Sequence, residues 1–84
     1  MKVRVTGKQS DTPIPVAIHT EFIKLQDFLK FCDAVSSGGM AKNFIQNGEI
    51  AVNGETETRR GRKLYPGDVV SFGPNRWQVT AHEA

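Results

Sequence analysis

The sequence of 84 residues contains a single cysteine, Cys32, so no disulfide can form within the chain. Cys32 lies in an apolar pattern with helical spacing and reads as a small buried hydrophobe, not as a thiolate nucleophile. The two histidines, His19 and His82, stand far apart, and neither has a metal-ligand partner at a useful spacing. No apolar run approaches the ~20 residues needed to cross a bilayer. The start, MKVRVTGKQS, lacks the apolar centre of a signal peptide. There is no P-loop and no dinucleotide fingerprint. These absences argue against an enzyme, a bound metal or cofactor and a membrane protein, and they make the cytoplasm the expected location.

What is present is an uneven distribution of charge. The formal net charge is only +2, which by itself does not call for a polyanionic partner. Yet Arg59, Arg60, Arg62 and Lys63 fall within five consecutive positions that hold no acid, and Lys42 lies a short way upstream. The stretch from Gly38 to Lys63 is therefore the part of the chain to explain. At this length the chain is one domain with a modest core.

The pattern divides into a turn-rich arm, residues 1–15, and a domain over residues 16–84. In the arm, Lys2 to Thr6 alternate as a short strand does, and Pro13 and Pro15 exclude a helix. A strand is expected around Ala17 to Thr20. A first helix is expected from Leu25 to Val35, with Leu25, Phe28, Leu29 and Cys32 on the buried face, Phe31 and Val35 widening it, and no capping side chain at Lys24. Ser36 to Gly39 break that pattern, and a serine there can cap a second helix from Gly39 to Gln46, with Ala41, Phe44 and Ile45 inward. Asn47-Gly48 ends it. Asn53-Gly54 is the strongest hairpin signal in the chain, joining Glu49–Val52 to Glu55–Thr58. Further strands are expected at Val69–Phe72 and Arg76–Thr80. The fold class is α+β, two short helices packed on a small, mostly antiparallel sheet.

Several of these segments, in this order, resemble a known family. Lys24 to Lys30 (KLQDFLK), Ser37 to Gly54 (SGGMAKNFIQNGEIAVNG) and Arg59 to Phe72 (RRGRKLYPGDVVSF) are similar to the first helix, second helix with its strand and turn, and basic loop with its following strand in the RNA-binding domain of the fourth small-subunit ribosomal protein, the S-four domain. The small stand-alone bacterial branch of the YbcJ type is the nearest in character. Many members begin the first helix with Arg-Leu-Asp, where this chain has Lys24-Leu25-Gln26-Asp27; many carry a serine-arginine pair where it has Gly38-Gly39-Met40. The resemblance implies an RNA-binding face of helix, helix and loop (an alpha-L motif) with the sheet as support.

Chemistry points the same way. A helix beginning at Gly38-Gly39 offers unpaired backbone N–H groups and partial positive charge to a phosphate, and Lys42 adds a full charge one turn on. The competing explanation for the glycines is a tight turn between helices. Arginine presents a planar fork that grips phosphate and stacks on bases, and Gly61 lets the loop bend. Its competitor is an ordinary solvated charge run. The candidate RNA-binding residues are Lys24, Ser37, Gly38, Gly39, Lys42, Asn43, Asn53, Arg59, Arg60, Arg62 and Lys63. The Asn53-Gly54 hairpin is expected to bring the helix start and the loop onto one side. Little in the set reads bases, so structured ribosomal or transfer RNA recognised by shape is the expected partner, bound by a monomer, with ribosome association in view. The alternative is an adaptor whose basic patch meets an acidic protein. Trp77 reads as core; Tyr65 reads either as a stacking side chain or as packing at the loop edge.

Overall fold

Leu25, Phe28 and Leu29 occupy one side of the first helix, α1 (Leu25–Phe31), and all three are fully buried. The second helix, α2 (Gly38–Gln46), adds Ala41 and Ile45 to the same core, with Phe44 partly buried beside them. The computed structural model describes residues 12–82; the alternation expected at Lys2 to Thr6 lies outside the described residues.

The strands are β1 (Ile14–Ile18), β2 (Ile23–Lys24), β3 (Ile50–Val52), β4 (Glu55–Thr56), β5 (Lys63–Leu64), β6 (Val69–Phe72) and β7 (Asn75–Ala81). Five of them form one sheet in the order β1-β7-β6-β3-β4, and β2 pairs with β5 in a separate ribbon. Every pairing is antiparallel except β1 with β7, which runs parallel from Ile14 opposite Trp77 to Ile18 opposite Ala81. The sheet presents Ile18, Ile50, Val52, Val70, Trp77 and Val79 to the helices, and Leu64 joins them from the ribbon. Burying each large apolar side chain of this kind contributes about 1.5–3 kcal/mol, which is substantial for so small a domain. The expected α+β architecture and the core position of Trp77 both appear in the structure.

Four local differences have physical causes. β1 reaches back to Ile14 and stops at Ile18, where the sequence suggests Ala17 to Thr20. Among the described residues it is an edge strand, the place in a sheet where a proline such as Pro15, with no N–H to donate, is tolerated. α1 ends at Phe31, short of the expected Val35. Asp33 takes the left-handed position (φ 65°) that glycine usually fills, and the Ala34 and Asp33 amides donate back to the Leu29 and Lys30 carbonyls. Phe31, the last residue of the helix, is 55% exposed and does not widen the buried face; Val35 still reaches the core from the following loop. Cys32 caps α1 and is only half-buried; burial pushes its thiol pKa up, opposite to what a thiolate nucleophile needs. Glu57 is buried, although its alternation with Glu49 and Glu55 suggests an exposed strand acid.

Candidate nucleic-acid interface

The start of α1 has no side-chain cap: Lys24 stands at the N-cap without a hydrogen bond from its side chain. The first helical amides must still find acceptors. They find them in the basic loop. Leu25 N–H donates to the Arg62 carbonyl at 2.8 Å and Gln26 N–H to the Arg60 carbonyl at 3.1 Å. The loop is thus fastened by its backbone to the helix, which leaves its side chains available for other work.

Two of those side chains are engaged by Glu57. Its carboxylate accepts from Arg59 through Nε at 2.9 Å and Nη2 at 3.1 Å, from the Arg59 amide at 3.0 Å, and from Arg62 Nη1 at 2.9 Å. The Glu57 amide donates to the Ile50 carbonyl on β3, which sets the carboxylate beneath the loop. Hydrogen bonds from Arg59, with Arg62 helping, hold the Glu57 carboxyl pKa down at about 2 despite the opposing effect of burial. Arg59 remains largely exposed, so it can bond Glu57 and still face solvent; Arg62 is mostly covered and acts mainly within the fold. Arg60 differs from both: it is exposed, and among the described residues its side chain makes no hydrogen bond or ion pair.

The start of α2 is built in another way. Ser37 accepts the Met40 amide on its side chain at 3.2 Å, and the amides of Gly38 and Gly39, first in the helix, have no partner inside it. Gly39, Lys42 and Asn43 are all exposed, at the three- and four-residue spacing that shares one helix face. A Cβ at Gly38 would stand 3.2 Å from Nε2 of Gln26, so the helix start lies directly against α1 there. Gln26 therefore joins the two halves: its side chain lies beside the α2 start and its amide holds the loop. A cleft of about 350 Å³ opens next to it, lined by Lys24, Gln26, Asp27, Arg60 and Gly61. Asp27 brings one negative charge to that wall, 3.9 Å from Lys30.

The side chain at the hairpin turn is used inside the fold. Asn53 (φ 53°) and Gly54 (φ 86°) make the tight turn that their sequence announces. Both ends of the Asn53 amide are used internally: Nδ2 donates to Asp68 at 3.1 Å, and Oδ1 accepts from the Val69 amide at 2.9 Å. Asn53 thereby ties the hairpin to β6, and the contacts joining helix start to loop run through α1 instead. Lys24 and Lys63 meet as register partners on the β2–β5 ribbon, both exposed.

Two residues important to the site, Glu57 and Gln26, carry only faint sequence signals. An acid two positions before an arginine run was one. An uncapped helix start was the other, since its amides had to be answered by something. Among the described residues no helix is long and apolar enough to cross a membrane, and no group of His, Cys, Asp or Glu could hold a metal ion.

Comparison with known proteins adds an independent finding. The S4 domain model matches residues 16–80. The chain is 57% identical over 58 residues to the probable ribosome maturation protein RlbA of Bacillus subtilis, covering 69% of this chain and 82% of that one. It is 39% identical over 59 residues to the putative RNA-binding protein YbcJ of Escherichia coli, covering 70% and 84%. The solution structure of E. coli YbcJ, described as having an alfaL motif involved in RNA-binding, superimposes with a TM-score of 0.61 at 32% identity, over 96% of this chain and 98% of that one.

Proposed function

Since the chain belongs to the S4 domain family, we propose that it is an RNA-binding module of ribosome maturation. The adaptor alternative is not favoured, because the relatives are named for RNA and ribosomes rather than for an acidic protein partner. The observation that best supports a particular mode of binding is the joint at Gln26. It sets the α2 start, with the Gly38 and Gly39 amides, beside the loop that displays Arg60.

On this reading the protein docks on structured ribosomal or transfer RNA as a cytoplasmic monomer and performs no catalysis. Phosphates meet the open amides of α2, Lys42, Arg60 and the free side of Arg59, with Lys24 and Lys63 at the border. Asn43 lies on the same exposed helix face and can reach a ribose or phosphate. Ser37, Arg62 and Asn53 act by holding the surface in shape, because their side chains are bonded within the fold. Recognition of backbone and shape follows from a face rich in cations and poor in groups that read base edges.

Fluorescence anisotropy with a folded RNA, duplex DNA and a single strand, each across a salt series, tests the reading. The folded RNA should bind best, and its affinity should fall with salt at a slope of about −0.7 to −0.9 per phosphate contact. Failure to bind RNA even at low salt would sink it and bring back the acidic-protein partner.

A further inference from the structure

The outer face of the β2–β5 ribbon has aromatic as well as cationic groups. Leu64 is fully buried and its register partner Ile23 packs on the core, so this pair faces inward. Alternation along the strands turns Lys24 and Lys63 outward and places Phe22 and Tyr65, one step beyond, on the same side. The ring contacts agree: Phe22 and Tyr65 have centroids 5.9 Å apart at 49°, and Lys63 Nζ stands 4.8 Å from the Phe22 ring centre. Tyr65 remains 46% exposed.

Two aspects of this face ask for a ligand. Lys24 and Lys63 are directly opposite each other, and like charges so placed weaken a strand pair unless an anion lies between them. Tyr65 is an exposed ring on a fixed mount. Its amide donates to the Asp68 carboxylate at 2.9 Å, its carbonyl accepts the Asp68 amide at 3.0 Å, and Pro66 follows it. A surface held in place before binding loses little entropy when something stacks on it. Lys24 also lines the cleft with Arg60, so the ribbon face continues the charged surface of the loop.

We propose that this face is a subsite for one unpaired RNA nucleotide, its base stacked on Tyr65 and its phosphate between Lys24 and Lys63. Pairing a flat exposed ring with two cations matches a nucleotide, which has a π-face and a charge a short distance apart. The nucleotide must be unpaired, because bases inside a duplex cover their own faces. The protein therefore recognises a junction, a folded element on the helix-and-loop grip with a free nucleotide beside it. This inference rests on the RNA-binding reading above.

The test compares a fully paired RNA hairpin with the same hairpin carrying a short unpaired extension that contains a fluorescent adenine analogue. The wild-type protein should bind the extended hairpin about fivefold to a hundredfold more tightly and change the analogue's emission by stacking. Tyr65→Ala should bring the two hairpins to equal affinity and abolish the emission change, and Tyr65→Phe should preserve both effects. Equal binding of the two hairpins by the wild type, with no emission change, overturns the subsite while the grip on folded RNA stands. Persistence of the preference in Tyr65→Ala also overturns it. Failure of both hairpins to bind overturns both readings and leaves an acidic protein as the partner to seek.

Discussion

The two helices of this domain begin in opposite ways. α1 has no capping side chain, and its first amides are bonded to the Arg60 and Arg62 carbonyls. α2 has a serine cap that answers Met40 and leaves the Gly38 and Gly39 amides open. One helix start is closed by the basic loop and the other is left open. The same division recurs inside the loop. Arg62 points into the fold toward Glu57, Arg60 points out, and Arg59 does both. A basic cluster read only as charge would count all these groups alike. The structure separates those bonded within the fold from those that face solvent.

The largest expected effect breaks the inward side. Glu57→Gln removes the charge on which both arginines converge, and Arg62→Ala removes one donor from a buried carboxylate. Each should destabilise the fold by about 1.5–3 kcal/mol, the range for hydrogen bonds to charged groups. Denaturant unfolding followed by circular dichroism measures this. A pH series adds a directional test. Folding lowers the Glu57 pKa from 4.5 to about 2, so the stabilisation is complete above about pH 4.5 and is lost as pH falls toward 2. The stability gap between wild type and Glu57→Gln should therefore narrow over that window. A gap that stays constant through it would mean that Glu57 ionisation is not what holds the loop.

Next in size is the outward side. Arg60→Ala keeps the backbone carbonyl that fastens the loop to Gln26 and removes only the exposed side chain. Stability should stay within about 0.5 kcal/mol. Affinity for folded RNA should drop about tenfold at moderate salt, and the salt slope should lose about one contact. The contrast with Arg62→Ala is the informative part, because the two residues differ by two positions and carry the same charge. If both variants lost stability and neither lost a salt-dependent contact, the division into inward and outward arginines would be wrong.

Sequence made one of these sides legible and hid the other. The spacing of Leu25, Phe28 and Leu29, the Asn53-Gly54 turn and the glycine after Asn47 each carry a local pattern with a local cause, and each appears where the pattern says. The run of basic residues was equally plain. The direction of each side chain was not, because it depends on an acid brought beneath the loop by the β3–β4 hairpin. The α1–loop joint is also silent in sequence: it is made of backbone carbonyls, which every residue possesses. The end of α1 was hidden for a related reason, since Asp33 performs a task whose usual marker is glycine.

A smaller effect should come from the cap that keeps the α2 start in order. Ser37→Ala leaves the Met40 amide without its acceptor and should cost about 1 kcal/mol. RNA affinity should weaken too, since the open amides would lose their fixed direction, and Ser37→Asp should restore the stability. If Ser37→Asp also restored full RNA affinity, phosphate would not approach this end of the helix closely, because an added negative charge beside it would repel the RNA backbone.

The finest distinction concerns whether the paired glycines serve the fold or the ligand. Gly38 answers poorly, because a Cβ there would press the Gln26 amide at 3.2 Å and disturb the joint itself. Gly39 answers well: the nearest atom to an added Cβ is Ser37 Oγ, at 4.0 Å. Its backbone is helical, so alanine fits and should raise stability by about 0.5–1 kcal/mol through lost freedom in the unfolded chain. A methyl group on that exposed surface obstructs only something approaching from outside. Gly39→Ala should therefore unfold at higher denaturant yet bind folded RNA a few-fold less tightly. Unchanged binding in this more stable variant would assign the glycines to the turn between the helices and leave Lys42 and Asn43 as the ligand groups at the start of α2.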